Sequence, residues 1–175
     1  MATPELPELG PGPRMAVLPL AVLEQKLDDW LPRSMLPAAA QAPIRAAVLL
    51  WHDHLHASHR ISQDLSGPDG SYLHGLMHRR EPDYGNAKYW FHRVGRHSCF
   101  VELARRAARL LRDKSETALE RRLMPRGDWD PFTFIDACEA KADAPASDTH
   151  VQLLRAIQAI EFELLLNKFC QTRGD

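Results

Sequence analysis

The chain has 175 residues, 45% hydrophobic and 26% charged, with a formal net charge of −1. That length can bury a core without disulfide or metal staples, and the near-neutral balance gives no electrostatic case for nucleic acid or an anionic membrane. Cys99, Cys138 and Cys170 are odd in number and widely spaced, with no C-x-x-C pair, so they read as free thiols of a reducing cytosol.

Residues 1–14, "MATPELPELGPGPR", are acidic and rich in Pro and Gly. They lack the basic and apolar regions of a secretory signal and read as a disordered tail before a single domain, 15–175. No apolar run approaches the roughly 18–20 residues that cross a bilayer. Strand alternation is nearly absent and helical periodicity runs throughout.

The first amphipathic helix covers 19–31, and "PRSMLPAAAQAP" interrupts it with three prolines. A long helix then runs from Pro43, placed at its first position, to about Leu65. "SGPDG" is read as a loop. A short helix over 71–81 stops at Pro82. Asp83 caps the next, 84–94, and Gly95 terminates it. Further helices cover about 98–113 and 116–123. One starts at Pro131, with Asp130 as cap and Trp129 stapled onto Phe134. The last covers about 148–170. The expectation is an all-α, single-domain bundle of seven to eight helices.

Eight of the nine histidines lie between 52 and 97. On an unbroken helix His52, His56, His59 and Gln63 share one face, with His54 on the apolar side. His74, His78 and Glu81 share a face of the 71–81 helix. Two imidazoles at i, i+4 with a carboxylate one turn on is a spacing that can chelate a divalent transition metal. "HGLMH" is not the zinc-protease "HExxH", because Gly75 stands where the glutamate belongs. Two other readings stay open: histidines that only pack between helices, and a metal-free site in which one acts as acid or base.

Arg80 and Glu161 carry charge on apolar helix faces and must be paired or bind something. Glu161 either pairs with an arginine from 79, 80 or 93, or joins His54, His59 or His74 in one polar pocket. Gln158 lies beside it. Arg79, Arg80, Arg93 and Arg96 could together hold a carboxylate or phosphate.

In "GLMHRREPDYGNAKYWF", Gly75, Tyr84 and Ala87 fall at small–large–small packing positions, and this stretch resembles a tetratricopeptide or Sel1-like αα-hairpin. "WHDHLHASHRISQDL", "GSYLHGLMHRREPDYGNAKYWFHRVGRH" and the late "IQAIEFELLL" together are similar to an uncharacterised group of small bacterial and fungal helical proteins. That likeness implies a helical fold and no activity. It ties the histidine segments and Gln158/Glu161 into one pattern.

The expected pocket therefore comprises His54, His59, Gln63, His74, His78, Arg79, Arg80, Asp83, Asn86, Trp90, Arg93 and Glu161. His74, His78 and Glu81 are the metal candidates. The pocket would take a small molecule or a metal ion, with enzymatic activity left open. The alternative is a cytoplasmic interaction module or homodimer, in which the histidines are structural and Tyr89, Trp90 and Phe91 dock a partner. Neither nucleic acid nor membrane is an expected partner.

Overall fold

The computed structural model describes residues 3, 5–12 and 14–171. Among these there are nine α-helices and no strand: α1 Leu20–Trp30, α2 Ala38–Trp51, α3 Leu55–Ser62, α4 Gly67–Arg80, α5 Tyr84–Val94, α6 Cys99–Asp113, α7 Thr117–Leu123, α8 Pro131–Glu139 and α9 Thr149–Gln171. A 3₁₀ turn, Leu31–Arg33, follows α1. No helix is long and apolar enough to cross a membrane.

Two apolar clusters make the core. One joins α1–α5, the other α6–α8, and α9 contributes to both. α9 packs on α2, α6 and α8. It buries Leu154, Ile157, Phe162, Leu165 and Phe169 at different angles around its axis, as a central helix does. α4 is also enclosed. Every residue from Gly70 to Arg80 is buried, against α2, α3 and α5.

Local chemistry explains most boundaries. The Asp83 side chain accepts from the Asn86 N–H and starts α5, and Gly95 ends it at φ 60°. Asp130 accepts from the Phe132 and Thr133 N–H groups ahead of Pro131, and Trp129 packs on Phe134 with ring centroids 5.0 Å apart.

Three expectations need correction. The 43–65 helix is two helices, so the described residues form nine helices where seven to eight were expected. α2 starts at Ala38 with Pro43 inside it, and the chain turns at residues 52–54, where Asp53 takes φ 65°. The turn is held from outside: Asp53 is bonded by both Arg14 and Arg80, and the His54 Nε2 lies 2.8 Å from the Leu18 carbonyl. α4 begins at Gly67, not in the seventies. Pro68 suits a first helical turn that needs no N–H partner, and Asp69 suits its positive end. The third concerns the disordered tail. Of residues 1–14, the described ones lie docked across the bundle; residues 1, 2, 4 and 13 lie outside the described residues. Leu9 is buried in the second cluster. Gln158 donates to the Glu8 carbonyl (3.0 Å), Arg80 to that of Gly10 (3.1 Å) and Arg155 to those of Leu6 and Pro7.

Candidate metal centre

α4 carries four chemically loaded side chains within seven residues. Successive residues on a helix point about 100° apart, so these four serve three different sites. His74 and His78, one turn apart, face α3 and α5. Arg79 reaches α9. Arg80 reaches the α2–α3 turn.

The first site is a trio of imidazoles. Turning the chain at 52–54 redirects α3 and brings His59 over the exposed edge of the α4 pair. One ring nitrogen from each of His59, His74 and His78 lies within 4.8 Å of the other two. Among the described residues no other trio of His, Cys, Asp or Glu converges in this way. His74 and His78 are stacked, centroids 4.9 Å apart at 11°, and His59 meets both edge-on at 4.8 and 5.2 Å. His59 is half-buried and the other two are buried.

Burial disfavours the charged form of the two α4 rings. Burial pushes the His74 pKa down to about 4, helped by the neighbouring His78 and His59. Burial also lowers that of His78, although Glu81 pulls the other way. A metal ligand must offer an unprotonated nitrogen, and His74 and His78, which resist protonation, are suited to do so. The His74 Nδ1 is buried and has no hydrogen-bond partner.

The surroundings orient the rings. Trp90 from α5 stacks on His74, centroids 3.9 Å apart and 14° between planes, and Arg93 lies over Trp90 at 5.4 Å. Glu81 places a carboxylate oxygen 3.4 Å from the His78 Nδ1, and Asp83 another at 3.8 Å. A carboxylate can only accept, so the tautomer that bonds Glu81 carries its proton on Nδ1 and leaves the Nε2 lone pair to accept from the Asn86 amide N–H, a bond that a metal ion at Nε2 would replace. The Asn86 amide lies 3.1 Å from that Nε2. A carboxylate on the far nitrogen of a ligating histidine is the usual outer support of a metal site. Nitrogens on one tetrahedral zinc stand about 3.3 Å apart, given bonds of about 2.0–2.1 Å. Imidazole lone pairs lie in the ring plane and the His74 and His78 rings are nearly parallel, so a shared ion requires these rings to turn out of their stack. Three histidines leave one tetrahedral position for water or a ligand.

The second site is an enclosed polar knot. Arg79 donates to Glu161 at 2.6 Å and to the Gln158 side-chain oxygen at 3.3 Å, and the Tyr72 hydroxyl donates to Glu161 at 3.0 Å. Burial, then the Glu161 carboxylate, holds the Tyr72 phenol well above its ordinary pKa, so it remains a donor. The Arg79 guanidinium also lies 4.5 Å over the Phe134 ring.

The third is the joint at Asp53. Arg14 and Arg80 bond its two carboxylate oxygens at 2.9 and 2.8 Å, and Arg80 donates to the Leu50 carbonyl at 2.7 Å. Burial works against ionising Asp53, but its bonds to the two arginines hold its pKa below the ordinary value.

The single pocket expected from the sequence is thus divided. His59, His74, His78, Asn86 and Trp90 come together, with Glu81 and Asp83 behind His78. Glu81 is not one of the converging ligands; it caps α4 and supports one of them. Glu161 and Arg79 belong to the knot, with no histidine bonded to Glu161. Arg80 pairs with Asp53, and His54 bonds the Leu18 carbonyl at the turn. Gln63 and Arg93 are exposed. Tyr89, Trp90 and Phe91 do not form one docking face: Tyr89 is exposed, Trp90 covers His74, and Phe91 is in the core. Asp53 and Arg14 were missed by sequence reasoning. Two adjacent arginines on one enclosed helix, each needing an acid, was the signal for Asp53. No protein family, curated protein or solved structure matches the chain.

Proposed function

We propose that this protein binds a divalent transition metal through His59, His74 and His78, and that the remaining coordination position serves a small-molecule ligand. The observation that carries the reading is the convergence of three imidazoles, two of them, His74 and His78, buried and with their pKa values lowered by that burial. The nitrogen-only donor set suits zinc, copper, nickel or iron rather than magnesium or calcium. Such an ion would lower the pKa of a bound water or polarise a carbonyl or phosphoryl oxygen. Glu81 and Asn86 orient His78, and Trp90 fixes the plane of His74.

The α4–α5 hairpin is read as a Sel1-like unit used to carry ligands. Gly75 supports this, since a Cβ there would lie 2.8 Å from the Phe91 ring, so the two helices pack closer than a larger residue allows. The likeness to the uncharacterised group of bacterial and fungal proteins is retained on the same footing. The unpaired Cys99, Cys138 and Cys170 agree with a reducing, cytoplasmic setting.

The test is metal uptake by the purified chain. Cobalt(II) reports its geometry through visible absorption, and elemental analysis gives the stoichiometry. One metal per chain is expected, with a tetrahedral cobalt spectrum that His59→Ala and His74→Ala abolish. A chain that takes up no metal, or takes it equally well after both substitutions, sinks the proposal.

A further inference from the structure

The docked N-terminal segment is more than a cover. Its last described residue, Arg14, makes the tightest set of contacts at the α2–α3 turn. Its backbone N–H and its Nε both donate to Asp53, at 3.0 and 2.9 Å, and its guanidinium also reaches the carbonyls of Trp51 and Glu5. The Arg14 side chain is 2% exposed and that of Asp53 is 1% exposed. Just beyond, Leu18 exchanges contacts with both histidines of the turn, His52 at 3.4 Å and His54 at 2.8 Å.

These contacts act on a turn that is also capped locally. Asp53 sits at φ 65°, its N–H donates to the Leu50 carbonyl at 3.1 Å, the His54 N–H donates to that of Leu49 at 3.0 Å, and the Ser58 hydroxyl of α3 donates to the Ala46 carbonyl of α2 at 2.9 Å. Without Arg14, half of the acid's charge compensation is gone, and the turn loses the bonds that tie it to the N-terminal segment. α3 carries His59; α4 carries the other two imidazoles. The direction of α3 therefore decides whether the third ligand meets the first two.

The upstream part of the segment anchors Arg14 through side chains of other helices. Arg155 of α9 donates to Leu6 and Pro7 and pairs with Glu8 at 3.1 Å. Gln158 takes Glu8, and the Trp51 indole donates to Thr3 at 3.0 Å. Most of these bonds go to backbone carbonyls along an extended strand of chain. They are mostly part-buried bonds, individually weak and lost together when the segment lifts.

We infer that docking of the N-terminal segment regulates the metal centre: with Arg14 on Asp53, α3 presents His59 to His74 and His78, and release of the segment lowers metal affinity. This rests on the metal-binding reading above. Coupling of this kind is reciprocal, so metal binding must in turn hold the segment down.

The test uses the full chain and zinc alone. A glutamate-specific protease is applied, and cleavage after Glu5 and Glu8 is followed by mass, with and without saturating zinc. In the unmodified chain zinc is expected to slow both cleavages about fivefold or more, a coupling of the usual size. In His59→Ala zinc is expected to leave them unchanged. In Arg14→Ala the zinc dissociation constant is expected to rise about 10- to 100-fold, the range seen when outer support of a ligand is lost. Zinc that binds the unmodified chain without slowing cleavage overturns the inference and leaves the metal site standing, as does unchanged affinity in a folded Arg14→Ala. Should that variant fail to fold, the cleavage comparison in the unmodified chain decides. No zinc binding at all removes both the site and its regulation.

Discussion

Arg79 and Glu161, 82 positions apart in the chain, meet as an ion pair whose side chains are 1% and 0% exposed. Each is the other's main compensation, with Tyr72 bonding Glu161 and Gln158 bonding Arg79, whose buried Nε has no partner. Removing one partner strands a buried charge. Arg79→Met and Glu161→Leu are each expected to cost about 3–5 kcal/mol in urea denaturation, whereas the double variant is expected to cost clearly less than the sum. Additive losses would show that the two charges do not depend on each other.

The lowered basicity of His74 makes apo-protein stability depend on pH. Its pKa is about 4 when folded, against an ordinary 6.5. Above pH 6.5 neither state is protonated and the ring has no effect. Between 6.5 and 4 the unfolded chain takes up the proton and the folded chain does not, so stability falls as pH falls, by on the order of 3 kcal/mol in total. His74→Phe, measured in chelator, is expected to flatten the slope in that window. An unchanged slope would place the titration elsewhere.

Metal should stabilise by mass action. At a free zinc concentration about 100 times the dissociation constant, the gain is about 2.7 kcal/mol. A thermal melt is expected to rise with zinc in the unmodified chain and to stay flat in His59→Ala. Glu81→Ala is expected to shift the zinc titration by about 10- to 100-fold while leaving the apo melt near its starting value. A loss of apo stability as large as the affinity loss would instead mean that Glu81 holds α4 together.

Gly70 offers a check on the α3–α4 connection. A Cβ there would overlap the Leu65 carbonyl oxygen and stand 2.6 Å from the Leu65 Cβ. Backbone must move to admit it. Gly70→Ala is expected to cost about 1–3 kcal/mol despite alanine's better helix propensity, and to weaken zinc binding because this connection spaces His59 from His74. A neutral or stabilised variant would mean that the connection is looser than its geometry.

Helix class and most boundaries were legible because they are set within a few residues: Asp83 and Gly95 bracket α5, and Asp130 with Pro131 opens α8. An acid on an apolar face announced that Glu161 needed a cation, although periodicity could not choose among Arg79, Arg80 and Arg93. The division of the polar residues into three sites was not legible. "WHDHLH" continues a helical pattern and offers no glycine, and its break is a cap with Asp53 at φ 65° that is held further by Arg14 and Arg80, 39 and 27 positions away. A local reading therefore drew one helix through 52–54 and put His52, His56, His59 and Gln63 on one face. With the break, His52 ends α2 buried, His56 is exposed, and His59 alone of the four joins the α4 pair. The docked N-terminal segment was missed for a like reason. Its composition is that of a disordered chain, and its partners Arg155 and Gln158 lie about as far along the sequence as the chain allows.

The bonds from α9 to the N-terminal segment also set an order of events during synthesis. A ribosome delivers the segment before α9, and the contacts between them span up to 150 positions. Until α9 emerges, Arg79 lacks Glu161, and the segment lacks Arg155 and Gln158. The nascent chain thus holds an exposed helical hairpin with a charge on its inner face for most of translation. α9 closes the molecule at both places at once, which makes a truncation within it far more damaging than the residues removed suggest.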